Sequence, residues 1–419
     1  MTKPDRFSTL EIPELPKRTP TPAGYTIEDL MSIREAPRIE LLEDSEQVQL
    51  TVAYASTNSA STPILFIDVL THFHREQLEH YALEKYSQLG DTGDDVWHAV
   101  TIDIPKGLTS MVGILNIPNT CLDNGKLPGA DREAYRNLRA TAEPAWTSGE
   151  ILSIGTKREG TLTNRTARFN PLYDAGNQAT APYPVAESRP LLHQAQMEVA
   201  QGLTLNTWLY LPPDKEIKDV LLVTDGEVHA EEVPLLNLYQ PHDSAIVYFS
   251  PEETSLRGDF LGNIELVASS LKHHVLPWAK TLAEQKGKVW PVNASDYIIA
   301  GGSLGGYAAA GIVLIHPEIV LNAIVQSAAL WWPDRQYWLL ESWQEHIDAP
   351  AGIKRAIFHE YGRYDIRLSQ ENVELANVLS QADNVTSTSR EYNGGHNYLS
   401  WRQGLIEGHN WILNNRPQG

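Results

Sequence analysis

Tyr297-Ile298-Ile299-Ala300-Gly301-Gly302-Ser303-Leu304-Gly305-Gly306-Tyr307-Ala308-Ala309-Ala310 runs from a β-branched apolar segment through Gly-x-Ser-x-Gly into an alanine-rich one. A strand that turns directly into a helix places Ser303 at the sharp bend between them, the arrangement of a nucleophile elbow. Glycine at 301 and 305 permits the tight turn and the close approach of neighbouring backbone. Ser303 then stands at a helix N-terminus, where unbonded N–H groups and the helix dipole favour negative charge. A serine that merely caps a helix would share part of this pattern; the strand before it and the helix after it favour the elbow. Leu304, the next residue, is the expected first backbone donor to an oxyanion.

An elbow serine requires a base and an orienting acid, which follow it in the order Ser, acid, His in the α/β-hydrolases. Gly394-Gly395-His396-Asn397 lies between the strand-like run 387–392 and the last helical segment, so His396 is the expected base. His409 competes, but it falls inside that helix and reads as a surface or packing residue. Asp365 follows a glycine turn after the apolar run 355–359 and is the preferred acid, with Glu360, nearer the strand end, as the alternative. The acid's role is to fix the imidazole tautomer and support the imidazolium. Upstream, Leu221-Leu222-Val223-Thr224-Asp225-Gly226-Glu227-Val228-His229 carries a strand into an Asp-Gly turn. The backbone of Glu227 or Val228 is the expected second oxyanion donor.

Beyond Leu191, strand-like runs at 204–211, 220–224, 245–249, 297–301, 323–326 and 355–359 alternate with helical ones at 263–285, 304–315, 370–381 and 401–414. That rhythm predicts a mostly parallel sheet covered on both faces, an α/β-hydrolase domain over 186–419. The earlier chain differs. Strand runs at 47–55, 63–70, 96–104 and 109–117, with one helical run at 75–86, predict a smaller β-sandwich-like domain over 25–185. A flexible, poorly packed proline-rich arm is expected over 1–24, a polar helical stretch follows Cys121, and 158–189 has the composition of a connection.

The chain has 419 residues, 42% of them hydrophobic, enough for more than one packed domain. Its 53 acidic against 33 basic side chains leave a formal charge of −20, which repels a phosphate backbone and argues against a nucleic-acid partner. No apolar run approaches the ~20 residues of a membrane span, so no membrane partner is expected. A single cysteine excludes an intrachain disulfide, and with no apolar leader in view a cytoplasmic location is expected.

From about Leu205 to Trp411 the chain resembles the enterochelin (enterobactin) esterase family. The resemblance is carried by Thr224-Asp225-Gly226-Glu227, Arg257-Gly258-Asp259-Phe260-Leu261-Gly262-Asn263, the 301–306 elbow, Gln326-Ser327-Ala328-Ala329-Leu330-Trp331-Trp332-Pro333 and Gly394-Gly395-His396-Asn397-Tyr398-Leu399-Ser400-Trp401-Arg402. Fainter matches, Thr92-Gly93-Asp94-Asp95-Val96-Trp97 and Asn170-Pro171-Leu172, fall where that family carries an accessory domain. The resemblance implies a cytoplasmic hydrolase of ferric catecholate siderophore trilactones, with Ser303, His396 and Asp365 as its triad.

A ferric tris-catecholate is anionic, bulky and aromatic, so its site should combine cations with flat apolar faces. Arg257, on a loop after the run 245–249, is the expected cation; Trp331 and Trp332 are the expected faces. Asn263 either bonds an ester or simply caps a helix. His72, His74, Glu76 and His80 lie close enough in sequence to suggest zinc, but a solvated loop leading into a helix accounts for them, and no metal site is expected. No cofactor is implied; iron arrives with the substrate. The alternatives are a carboxylesterase or acyltransferase for another acyl ester, or a hydrolase homologue that binds a ligand without turnover.

Overall fold

The computed structural model describes residues 14–57, 60–86, 96–123, 132–155, 166–177, 185–333, 337–347, 353–365 and 368–417. Contacts divide the chain into two compact units, Ile12–Pro184 with Asn393–Gly395, and Val185–Tyr392 with His396–Gly419. The second unit is built on one eight-stranded sheet. Its strands are β1 (His193–Ala200), β2 (Leu203–Tyr210), β3 (Asp219–Val223), β4 (Ser244–Pro251), β5 (Tyr297–Gly302), β6 (Asn322–Gln326), β7 (Arg355–Gly362) and β8 (Val385–Tyr392). They lie in the order β1-β2-β4-β3-β5-β6-β7-β8. Pairs β1–β2 and β2–β4 are antiparallel and all the others are parallel. β3 to β6 are buried at every position, as parallel strands covered on both faces must be. β1 alternates half-buried with exposed residues, so its polar sequence hid an edge strand.

Helices α1 (Arg257–Leu261), α2 (Ile264–Ser270), α3 (Leu276–Gln285), α4 (Leu304–Ile315), α5 (Trp338–Ile347), α6 (Ser369–Gln381) and α7 (Tyr398–Asn415) cover the sheet. All of α4 but its last residue is buried, which explains an alanine-rich sequence with no polar stripe. The run 263–285 is not one helix. α2 passes through a wide five-residue turn, Leu271–Val275, into α3, and Pro277 sits in the first turn of α3. Proline has no N–H and crowds the carbonyl four residues back, so a regular helix cannot pass through it.

The N-terminal unit contains two sheets whose pairs are all antiparallel. One joins Arg18–Thr19, Val96–Pro105, Gln47–Ser56 and Arg38–Leu41, with Glu84–Lys85 pairing Val96–Pro105. The other joins Ser61–Ile67, Ser110–Pro118, Thr166–Leu172 and Leu152–Gly155, with Glu143–Pro144 pairing Ser110–Pro118. Four expectations change. The arm is not unpacked as far as 24, because Arg18 and Thr19 pair with Ile102 and Thr101; residues 1–13 lie outside the described residues, as do Thr92 to Asp95. The run 63–70 leaves the strand after Ile67, and 75–86 forms only a short 3₁₀ turn, Leu78–Tyr81, before Glu84–Lys85. Here His74 Nδ1 and His80 Nε2 are bonded to Tyr81 Oη (2.6 Å) and the Pro16 carbonyl (2.5 Å). The connection at 158–189 contains a full strand, Thr166–Leu172, whose Asn170 Oδ1 accepts the Trp146 N–H at 2.9 Å; its Asn and Pro disguised it.

In the hydrolase unit, β7 and α7 meet with no room to spare at Gly404, where a Cβ would overlap Glu360 Oε1 and crowd Gln326 Nε2. Gly404→Ala is therefore expected to lower the unfolding free energy by about 1–3 kcal/mol, the usual cost of overpacking, measured by urea denaturation against the parent chain.

Candidate active site

Ser303 sits between β5 and α4 with φ 59° and ψ −121°. A non-glycine residue in this region stores about 1–3 kcal/mol of strain and persists only where its surroundings over-determine it. Here the Ser303 N–H donates to the Gln326 carbonyl at 2.9 Å, and the Ser303 carbonyl accepts from Tyr307 and Ala329 N–H, each at 3.0 Å. A side chain at Gly301 or Gly305 would overlap Thr224 Oγ1, so the end of β3 packs into the elbow itself. Leu304 opens α4, and a first-turn N–H has no acceptor within its own helix.

After β7 the chain turns, Asp365 N–H donating to the Gly362 carbonyl at 3.0 Å. The Asp365 carboxylate, almost fully buried, meets His396 Nδ1 through Oδ2 at 2.7 Å. With Nδ1 tied to a carboxylate, Nε2 is the ring atom left for proton transfer. The His396 side chain is 41% exposed, as an imidazole that must reach substrate has to be. Asn397 caps α7 by accepting the Ser400 N–H at 2.9 Å, and Trp401, one turn into α7, stands edge-on to His396 with ring centroids 4.7 Å apart. No hydrogen bond joins Ser303 Oγ to His396 among the described residues; such contacts commonly tighten only once substrate is bound.

Of the two acids considered, Asp365 is the one at the imidazole. Glu360 is fully buried and accepts from Gln326 Nε2 (2.6 Å) and from Arg390 Nε and Nη2 (2.9 and 2.7 Å). Burial pushes its carboxyl up, while Arg390 and Gln326 oppose the rise. Gln326 Nε2 also donates to the Trp401 carbonyl at 2.9 Å, so one residue, through its backbone carbonyl and its side-chain amide, links the Ser303 turn to the aromatic support of His396. His409 is a packing residue, buried at the opposite end of β3 against Asp219 at 2.8 Å.

Beyond β3, the Asp225 carbonyl accepts from Val228 N–H (3.0 Å) and His229 N–H (3.4 Å). This commits the donor of Val228 to the turn. Arg257 is not on a loop: it opens α1 directly after a 3₁₀ turn, Thr254–Leu256. Nor is it a lone cation, for Nε and Nη2 donate to Asp225 Oδ1 and Oδ2 at 2.5 and 2.7 Å. Burial opposes its charge, but Asp225, with help from Tyr398, holds the guanidinium protonated. Trp332 packs on α1, 3.7 Å from where a Cβ of Gly258 would lie, and a Cβ at Gly262 would collide with it. Trp331 and Trp332 are both half-buried, with ring centroids 5.7 Å apart. Asn263 caps α2, accepting the Leu266 N–H at 3.1 Å. Sequence reading passed over Gln326, Tyr398 and Trp401 as site residues. All three stood in recognised segments, yet nothing local showed what they touch.

An eight-stranded sheet in this order, with an elbow after β5 and an Asp–His pair on the loops after β7 and β8, defines an α/β-hydrolase. Residues 204–412 match the family model "Putative esterase", and the protein is an esterase of that class. Beyond that match, the chain is similar to enterobactin and salmochelin esterases over most of its length. The iron(III) enterobactin esterase of Dickeya dadantii is 24% identical over 80% of this chain and 81% of its own length. The iron(III) salmochelin esterase of Escherichia coli is 25% identical over 79% and 80%. The fold is shared with the enterobactin esterase of Shigella flexneri, crystallised in the presence of enterobactin (TM-score 0.67, 19% identity, 91% and 97% of the two chains). It is also shared with the ferric enterobactin esterase of Salmonella typhimurium (TM-score 0.68, 17% identity, 92% and 98%). Among the described residues no helix is long and apolar enough to cross a membrane.

Two imidazoles near the site, His229 in the Asp225 turn and His359 on β7, are fully buried, and burial pushes each down to about 4 from an ordinary 6.5. Between those values the unfolded chain binds protons that the folded one refuses. Their stabilising contribution is therefore complete above pH 6.5 and is lost as pH falls toward 4, by up to about 3 kcal/mol for each. Urea denaturation at pH 7.5 and pH 5 should show this fall, and His359→Gln should make it shallower.

Proposed function

We propose that this protein is a serine esterase that opens the ester backbone of a ferric catecholate siderophore. The Asp365–His396 pair at 2.7 Å, on the loops beside the Ser303 elbow, is the observation that carries this reading. Ser303 Oγ attacks the ester carbonyl while His396 Nε2 takes its proton, and Asp365 supports the imidazolium. Backbone N–H groups of Leu304 and Glu227 receive the oxyanion. Collapse expels the alcohol, which takes the proton from His396. Water, deprotonated by the same imidazole, then releases the acid from the acyl-enzyme.

The relatives' activities support the substrate class. Cutting the backbone separates chelating arms that had been held at high effective concentration, so iron is bound less tightly. Trp331 and Trp332 offer the flat faces for a catecholate, and Arg257 is the cation beside them. Asn263, occupied as a cap, has the weakest claim among the substrate-binding candidates. In this reading the two antiparallel N-terminal sheets form the family's sandwich-like accessory domain, the enzyme needs no cofactor of its own, and it works in the cytoplasm.

Ser303→Ala and His396→Ala are each expected to lower kcat by about 10⁴–10⁶, with the double variant hardly worse than either. Asp365→Asn should cost about 10²–10⁴, and Glu360→Gln much less. The measurement is chromatographic product analysis with iron-loaded and iron-free trilactone, alongside fluorophosphonate labelling of Ser303. Hydrolysis of simple esters with an untouched trilactone would make the protein a carboxylesterase of other specificity, and absence of labelling on folded protein would make it a binder.

A further inference from the structure

Asp225 stands immediately before the turn that offers the second oxyanion donor, in a left-handed conformation at φ 53°. Its side chain is 6% exposed. It is also near the first donor: a Cβ on Gly305, the residue after Leu304, would lie 3.4 Å from Asp225 Oδ2. A carboxylate in this place is at odds with ester hydrolysis, which builds negative charge on an oxygen held between those two donors. Screening is weak where water is excluded, so like charges at short range repel strongly.

What meets this charge is Arg257, through the two parallel contacts of a bidentate pair. The other groups around it do not substitute. Tyr398 is buried and, chiefly through burial and then through Asp225, kept as the neutral phenol. His229, whose ring stands edge-on to Tyr398, is buried and neutral at ordinary pH. We propose that Arg257 is a positioning residue for ester cleavage: by neutralising Asp225 in fixed bidentate geometry, it holds the oxyanion turn and cancels a charge that would oppose the transition state. This deepens the esterase reading and rests on it. It differs from recognition of an anionic siderophore, because it applies equally to an uncharged ester.

The test uses the full-length protein and p-nitrophenyl butyrate, a small neutral ester, with kcat expressed per fluorophosphonate-titrated site so that folded fraction and stability drop out. Arg257→Met should lower kcat by about 30-fold or more while moving KM less than about threefold, because the lost interaction belongs to the transition state. Adding Asp225→Asn should recover at least about tenfold of that loss, since a buried pair replaced as a pair is tolerated where a half-pair is not. Arg257→Lys, which keeps the charge without the fork, should fall between wild type and Arg257→Met. An Arg257→Met enzyme within threefold of wild type overturns the proposal, as does a double variant no faster than the single. If Arg257→Met does not fold, the double variant decides: kcat within about tenfold of wild type supports the proposal, and a loss beyond 100-fold overturns it. A wild-type protein that cleaves no ester overturns the esterase reading and this inference together, whereas an active wild type with an unrescued variant overturns the inference alone.

Discussion

The hydroxyl of Ser303 is presented because its backbone is held where an L-residue does not rest by choice. Three hydrogen bonds fasten it, one to the end of β6, one to α4 and one to Ala329, while Thr224 at the end of β3 occupies the space that side chains at 301 and 305 would need. Those partners come from β6 and the connection that follows it, from α4 and from the end of β3. Ser303 is therefore only as well placed as the parallel pairing of β3, β5 and β6 is regular, and these strands are buried throughout. The strain at one residue is offset by the packing of the whole sheet.

Beneath the elbow lies a polar cluster that does no chemistry in the proposed mechanism. Glu360 binds Gln326 and Arg390, and Arg390 reaches on to Glu407 of α7. Gln326 holds the Ser303 turn through its backbone carbonyl and the Trp401 carbonyl through its side-chain amide, and Trp401 stands against His396. Serine and histidine come from loops far apart in sequence, so their registry requires a bridge of this kind. Glu360 serves as its anchor, with its buried charge compensated by an arginine.

Charge shapes the other side of the site. A protein of net charge −20 repels an anionic ligand at long range. The candidate cation, Arg257, is already neutralised by Asp225. In the proposed reading, attraction for a ferric catecholate then has to come from short contacts, aromatic faces and hydrogen bonds, more than from a field. Trp332 packs against α1, where glycine at 262 makes room for its indole.

Local sequence sufficed wherever one segment carries its own physical reason. An apolar strand entering Gly-x-Ser-x-Gly and an alanine-rich helix has one stable arrangement, so the elbow, the order of Ser303, Asp365 and His396, and the alternation of strand and helix after Leu203 were legible. Tertiary structure decided whatever depends on a partner from elsewhere in the chain. Glu360 and Asp365 lie five residues apart on one connection, and only folding shows that one faces Arg390 inside the core while the other faces His396. Arg257 reads as a free cation until Asp225, 32 residues away, takes its guanidinium. The edge strand His193–Ala200 escaped because a half-buried strand buries too little apolar surface to show a clear period of two, and Thr166–Leu172 escaped because Asn170 and Pro171 stand among its buried residues. Backbone conformation is written in short-range sterics, whereas the charge state and task of a buried side chain are set by the groups that the fold brings against it.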